Sequence, residues 1–451
     1  MQSRPFAKSD GIERRYRRYG GPIAALDQPQ AAQKKEVLAG AFFWLTAFYF
    51  VYCGRPADLV PLVGIVPLAK ITGAIATLTL LLSIGRTSRQ LRDLPREAFY
   101  LLFLIILLFA SALLSPVWKG GAFFITLDFA KVLIVWVLTF LLVTSFRRLR
   151  RLIFLQSASV AVISFAAIAK GHSVPRLDSV IGGFYANPND MAFAIVLSVP
   201  FCLAFLLTAR NVARKFAWAM AIVVMLSALM LTASRAGFID LVVVGVVLLW
   251  QFGVKGKRPY LIIGAGLLSA ALLFSAGQRL GVRFHGIFES GNTGEQDSAH
   301  ESYEDRRELM VRAIAAITKY PVLGVGPGDF VVYSGMWRDV HVAYLQIAVD
   351  GGIPVLILYL LFFARGFTNL RVLSRTKNLD DETVLFVGAL KSSLVGFVVG
   401  ACFAPEAYQL FPYFTVCYTS VLCAMAKERQ LSGVLEVERR SSITRAFAKA
   451  Y

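Results

Sequence analysis

Apolar residues run unbroken through most of this chain, and the polar stretches between them are mostly short. Twelve apolar runs stand out: 37–53, 66–85, 98–114, 123–145, 152–169, 190–208, 216–232, 238–254, 259–276, 352–365, 384–402 and 412–426. A helix needs roughly 17–25 such residues to cross the hydrocarbon of a bilayer. Lipid cannot satisfy a free amide or carbonyl, so runs of this kind must be helical. A barrel would show short segments of alternating polarity, and LLFLIILLFASALL does not alternate. The pattern therefore predicts an all-α, polytopic membrane protein of about 12 transmembrane helices.

The polar stretches divide the chain into three parts: a basic N-terminal tail over 1–36, a membrane domain over 37–426, and a C-terminal tail over 427–451. One stretch is long. Residues 277–351 are expected to form a large external loop, and loops of that length are commonly functional. Its first part, ESGNTGEQDSAHES, is polar and contains glycine. EDRRELMVRAIAAITKYP reads as a short amphipathic helix ended by Pro321, with Leu309, Ala313, Ile314 and Ile317 on one face. GVGPGDF is a turn. HVAYLQIAVDGG reads as a second short helix that stops at Gly351 and Gly352.

The net charge is +19. Such an excess suits nucleic acid or a membrane surface, and its placement separates the two. Arg86, Arg89, Arg92 and Arg96 follow the second run. Arg147, Arg148, Arg150 and Arg151 follow the fourth. Arg210, Arg214 and Lys215 follow the sixth; Lys255, Lys257 and Arg258 follow the eighth; Arg371, Arg375 and Lys377 follow the tenth. With the two tails, about two thirds of the basic residues fall on one side. That is the positive-inside pattern. Both termini are expected in the cytoplasm, the segment 277–351 outside, and no nucleic-acid partner is expected. The head ERRYRRYGG suits anionic lipid. The first 36 residues are polar and basic, so no cleavable leader is read.

Cys53, Cys202, Cys402, Cys417 and Cys423 lie in or beside apolar runs. Their spacing offers neither a zinc site nor a disulfide framework, and they read as small core residues. All four histidines, His172, His285, His300 and His341, fall in segments expected outside the membrane. Histidine is the side chain best suited to moving protons near neutral pH. SRAG (234–237) places Arg235 at an outer helix mouth, where the positive-inside rule does not ask for an arginine. It is either an interfacial side chain or an anion clamp, since its planar fork suits phosphate oxygens. Ser302, Arg306 and Arg307 lie in SYEDRRELM; adjacent arginines on a helix point different ways, so one is expected to act and the other to be solvated. GVGPGDF lacks the Lys-Ser/Thr end of a phosphate loop and reads as a structural turn. In YANPND, Asn189 or Asp190 is expected to cap the following helix. Asp128 and Lys131, three apart inside the fourth run, are expected to pair with each other within the bundle. Asp240 and Lys391 are further charges inside apolar runs, costly there and equally suited to a transport pathway or to structure.

FYANPNDMA, TASRAG, the S-x-x-x-R of Ser302 to Arg306, YPVLGVGPGDF and HVAYLQIAVDGGIPVLI occur in this order. Together they resemble the O-antigen ligase and O-antigen polymerase superfamily of bacterial membrane glycosyltransferases. RPADLVP, starting at Arg55, resembles its first outer loop. The ordered likeness covers roughly residues 180–365. One departure stands out: Val342 replaces the Asn or Ser usual after the histidine. The resemblance implies an inner-membrane enzyme that moves glycan from a polyprenyl (undecaprenyl) diphosphate donor to a hydroxyl of a glycan, lipid or protein acceptor. It implies His341 as catalytic base, with no metal and no cofactor. Arg235 and Arg306 would bind the diphosphate, with Arg307 and Arg283 in reserve. Arg55, Asn187, Asn189 and Ser302 are supporting candidates. The chemistry agrees: a sugar hydroxyl gains from a positioned base, and a departing diphosphate gains from fixed cations. The rival reading is a secondary transporter or lipid-linked glycan flippase. That would show two related halves and a site at the membrane midplane; a cavity at the outer helix ends holding His341, Arg235 and Arg306 would favour transfer.

Overall fold

A computed structural model describes the backbone of residues 28–449, apart from 61–63, 65, 84, 86, 172–176, 179, 286–293 and 377–378. Side chains are described between 39 and 430, without 184, 272–273 and 275–303. The basic head, His172, His285, His300, Arg283 and Ser302 therefore lie outside the described side chains.

Among the described residues each apolar run is helical over most of its length. The long elements are α1 (Gln28–Gly54), α2 (Leu68–Leu81), α3 (Arg96–Leu113), α4 (Lys119–Leu142), α5 (Phe146–Lys170), α6 (Pro188–Thr208) and α7 (Val212–Thr232). They continue with α8 (Arg235–Leu248), α9 (Pro259–His285), α10 (Gly294–Lys319), α11 (Ala343–Arg375), α12 (Asp381–Gly400) and α13 (Leu410–Lys449). A π-helical turn, Leu249–Val254, extends α8. Among the described residues, nine helices are long and apolar enough to cross a membrane. Three more apolar helices are shorter, Ala39–Gly54, Leu68–Leu81 and Pro259–Ala271. They coincide with the first, second and ninth apolar runs. The protein is a multi-pass membrane protein.

Burial sorts the helices. α6 and the apolar part of α13 are the most enclosed, with 78% of their spans buried, whereas α7 and α8 are only 33% buried. α6 packs on α7 and α12, α12 on α8, and α11 on α3 and α13. The core is rich in rings: Tyr49, Trp136, Tyr185, Phe201, Tyr359, Tyr413 and Tyr418 are fully buried. Tyr49 and Thr139 share a hydrogen bond of 3.0 Å, and the Tyr185 hydroxyl donates to the Cys53 carbonyl at 2.9 Å. A buried phenol needs such a partner.

The segment between α9 and α11 holds more helix than its sequence suggests. α9 runs on to His285, and α10 begins at Gly294 rather than near Glu304. The amphipathic reading holds for Leu309 and Ala313, which are fully buried with Ala316, Val325, Phe330, Val340 and Val349 in a small satellite core. Ile314 departs from that face and is exposed. The stop expected at Gly351–Gly352 is a sharp break, and α11 resumes beyond it: Gly352 has φ 79° and ψ 179°. A side chain there would strike the Val322 carbonyl at 2.3 Å. The break admits a hydrogen bond from the Ile353 amide to the Pro321 carbonyl, 2.8 Å. GVGPGDF is the expected turn: Gly324, Gly326 and Gly328 all take positive φ, which glycine adopts without a Cβ penalty. It is bound to the start of α11 by Val325 to the Val349 carbonyl, 2.8 Å, and Gly326 to the Asp350 carbonyl, 3.2 Å.

Candidate functional site

The polar link ahead of α8 sets the first arginine. Ser234 is the N-cap of α8, and its hydroxyl accepts from the Gly237 amide at 3.1 Å. That satisfies one of the orphan donors of a helix start. The same hydroxyl donates to the Asn189 side-chain oxygen at 2.7 Å. Asn189 therefore braces SRAG. The cap of α6 is Asn187, whose side chain accepts from the Asn189 amide at 2.9 Å, so the expectation of a cap at Asn189 or Asp190 is corrected by two positions. Pro188 at the first helical position explains the shift, because it is best placed directly after a cap. Arg235 then stands in the first turn of α8.

α10 supplies the next pair. Its buried face is clamped on the loop that leads to His341. Arg312 reaches the Ser334 carbonyl and Glu308, and Arg338 meets Asp305. With the satellite core behind it, α10 and residues 330–341 form one packed unit. Arg306 is half-buried. Arg307 is 71% exposed at the side chain and pairs with Glu304 at 3.7 Å. The two adjacent arginines thus differ in exposure, as their positions on a helix require.

His341 lies two residues before α11. Its Nδ1 is 2.9 Å from the Asp339 carbonyl oxygen. A carbonyl only accepts, so Nδ1 carries the proton in the neutral ring and Nε2 is left with its lone pair. Burial and the nearby Arg306 guanidinium both hold the imidazolium form below its usual range. The ring is therefore a neutral base at pH 7. Asp339 is itself pushed up to about 6 by burial.

These elements enclose a cavity of about 600 Å³ lined by Arg235, Arg306, Arg307 and His341. Ile239, Met310, Val311 and Ile314 form an apolar wall, and Val342, Cys402 and Phe403 complete the lining. Three separate stretches of sequence, at Arg235, Arg306–Arg307 and His341, thus meet at one end of the bundle. Basic stretches such as Arg147–Arg151 and Lys255–Arg258 lie at the opposite helix ends. The cavity can hold an anion against guanidinium groups, a proton acceptor beside it, and apolar chain along one wall.

Other candidates fall elsewhere. Arg55 does not line the cavity; it is paired with Asp58, and its guanidinium occupies the space a side chain at Gly183 would need. Asn187 caps, and Asn189 acts through Ser234. Cys402 corrects the reading of the cysteines as core residues: it is exposed and lines the cavity, while the other four are buried. Asp128 and Lys131 do pair, but on an exposed face of α4 rather than within the bundle as expected. Asp240 is buried against Gly396 and Gly400, and among the described residues neither carboxyl oxygen has a hydrogen bond. The apolar wall and Asp339 were missed by sequence reading. Nothing in the pattern marks Met310 or Val311 as cavity residues, and Asp339 contributes through its backbone.

Residues 220–360 match the family model described as O-Antigen ligase. The match contains Arg235, Arg306, Arg307 and His341. No curated protein matches the chain.

Proposed function

We propose that this chain, which carries an O-antigen ligase domain over residues 220–360, transfers glycan at the periplasmic face of a bacterial inner membrane. The donor is a glycan on polyprenyl (undecaprenyl) diphosphate, and the acceptor is a hydroxyl of a glycan, lipid or protein. The observation that carries this reading is the shared cavity of His341, Arg235, Arg306 and Arg307 beside an apolar wall. A diphosphate head and an isoprenoid chain need those two surfaces side by side.

The step follows from the groups. Nε2 of His341 takes the acceptor's hydroxyl proton as the oxygen attacks the anomeric carbon. The carbon–oxygen bond to the diphosphate breaks, and the lipid diphosphate leaves with the bonding pair. Arg235 and Arg306 stabilise the charge that develops on it. Arg307, more exposed, meets the head at the cavity edge. The depressed basicity of His341 keeps it unprotonated before the attack. Val342 presents no polar group beside the histidine, so acceptor contacts come from other residues.

The basic stretches opposite the cavity support cytoplasmic termini. The transporter reading has less support, because the cavity lies at helix ends rather than at a midplane between related halves. The test is transfer by the purified chain from a defined undecaprenyl diphosphate glycan to several acceptors, with His341→Gln alongside. Turnover by wild type and its loss in His341→Gln is the expected result. Full turnover in His341→Gln would remove the base and leave the arginine clamp to be tested separately.

A further inference from the structure

The far end of α8 carries a second groove. It holds about 430 Å³ and is lined by α8 with its π-helical turn, by Ile262 of α9, and by Lys391 and Val395 of α12. The π-turn spans Leu249–Val254; such a turn bulges the helix, and bulges of this kind recur at functional sites. Trp250 and Ile262 are exposed there. Val246 and Val254 extend the apolar surface, and Gln251 is the one polar uncharged lining residue.

Lys391 is the anomaly. It stands in the middle of α12, with neither a hydrogen bond nor an ion pair among the described residues. None of the residues around the groove is acidic. Lys391 lies ten positions beyond Asp381, roughly 15 Å from that end of the helix. A helical side chain leans toward its helix N-terminus, so the ammonium reaches toward the Asp381 end, away from the His341 cavity. A long amine in an apolar wall snorkels to the nearest polar boundary. There the π-turn gives way to Lys255, Lys257 and Arg258. Among the described lining residues Lys391 is the one charge, set in a wall that is otherwise apolar apart from Gln251.

We propose that this groove binds one anionic glycerophospholipid from the leaflet opposite the cavity, with its phosphate on Lys391 and an acyl chain along Val246, Trp250, Val254 and Ile262. Charge complementarity argues for the occupant. Lys391 is the one charge of the lining and draws an anionic head toward the polar end of α12, and the exposed apolar wall takes the chain. The site is separate from the diphosphate cavity at the other end of α8. Its assignment to the cytoplasmic leaflet rests on the orientation proposed above; its preference for anionic lipid does not.

Trp250 gives a direct readout. The purified full-length chain is placed in phosphatidylcholine nanodiscs with rising fractions of phosphatidylglycerol brominated along its acyl chains. The Trp250 signal is the difference between wild type and Trp250→Phe. Half-quenching is expected at about five-fold less brominated phosphatidylglycerol than brominated phosphatidylcholine, the worth of one lysine beside an anionic surface. Lys391→Met and Lys391→Gln should lose that preference, and Lys391→Arg should keep it. Equal quenching by the two lipids in wild type overturns the proposal, as does an unchanged preference in both neutral variants. Relief of quenching by undecaprenyl phosphate at lower fractions than by unbrominated phosphatidylglycerol also overturns it, assigning the groove to the donor's tail. Quenching does not read glycan transfer, so failure of the transferase reading would leave this result standing.

Discussion

The two ends of the bundle use arginine in opposite ways. At the basic end, Arg89 is only 2% exposed. Its guanidinium donates to Glu428 at 2.7 Å and to the Phe140 and Val143 carbonyls at 2.9 and 3.0 Å. The partners come from α4, α13 and the turn after α4, so Arg89 joins elements together. Nearby, Glu97 accepts from Asn369 at 2.7 Å and from Ser420 at 2.6 Å. At the cavity end, Arg235, Arg306 and Arg307 border open space on two different elements. The difference teaches how to separate structural from functional cations. A buried arginine surrounded by carbonyls and a carboxylate is fixed by the fold, whereas arginines that border a void from separate helices are the ones proposed to meet an incoming anion.

That contrast can be broken most sharply at His341. Base catalysis by a positioned side chain is worth about 10²–10⁴-fold, so His341→Gln should lower turnover by that factor at unchanged thermal stability. An equal fall in stability and turnover would make the histidine an anchor of the 334–341 loop instead.

The arginines come next. Removing one donor to developing charge costs on the order of 10²–10³-fold in turnover, and Arg306→Gln should fall in that range. It should also shift the pH profile. Arg306 and burial hold the imidazolium below its usual range. Removing the cation raises that value, so the acid limb should move to higher pH. An acid limb that stays in place would separate Arg306 from His341 electrostatically. Arg89→Ala supplies the other side of the comparison. It strands two buried carbonyls, at about 1–3 kcal/mol for an unsatisfied buried group. The thermal midpoint should drop, with turnover per folded molecule unchanged.

A smaller effect on turnover is expected at Gly352. Backbone held in a region open only to glycine costs an L-residue about 1–3 kcal/mol, and the Val322 carbonyl blocks a Cβ. Gly352→Ala should lower stability and loosen the pairing of the glycine turn with the start of α11. Turnover should fall less than in His341→Gln, since His341 is tied to Asp339 and not to Gly352. A fully stable Gly352→Ala would show that the break in α11 is a local choice rather than a constraint.

The sequence by itself determined the membrane class and the helical runs, because lipid permits only a hydrogen-bonded helix where apolar residues run unbroken. It also determined the glycine turn and the break at Gly352, since positive φ selects glycine. The chemistry at Arg235, Arg306 and His341 was legible as residue types in an order. Their convergence was not. That depends on α10 packing against α11, fixed by Leu309, Ala313 and Val325 in the satellite core and by Arg312 and Arg338 across the loop. Leu309 and Ala313 carry a helical spacing, but nothing periodic marks the distant residues they meet. The same holds for Cys402, which looks like a core residue in its run and becomes a cavity wall only because α12 ends there. Helix type follows from local composition, whereas a site is a coincidence of distant surfaces, and only tertiary packing decides which surfaces meet.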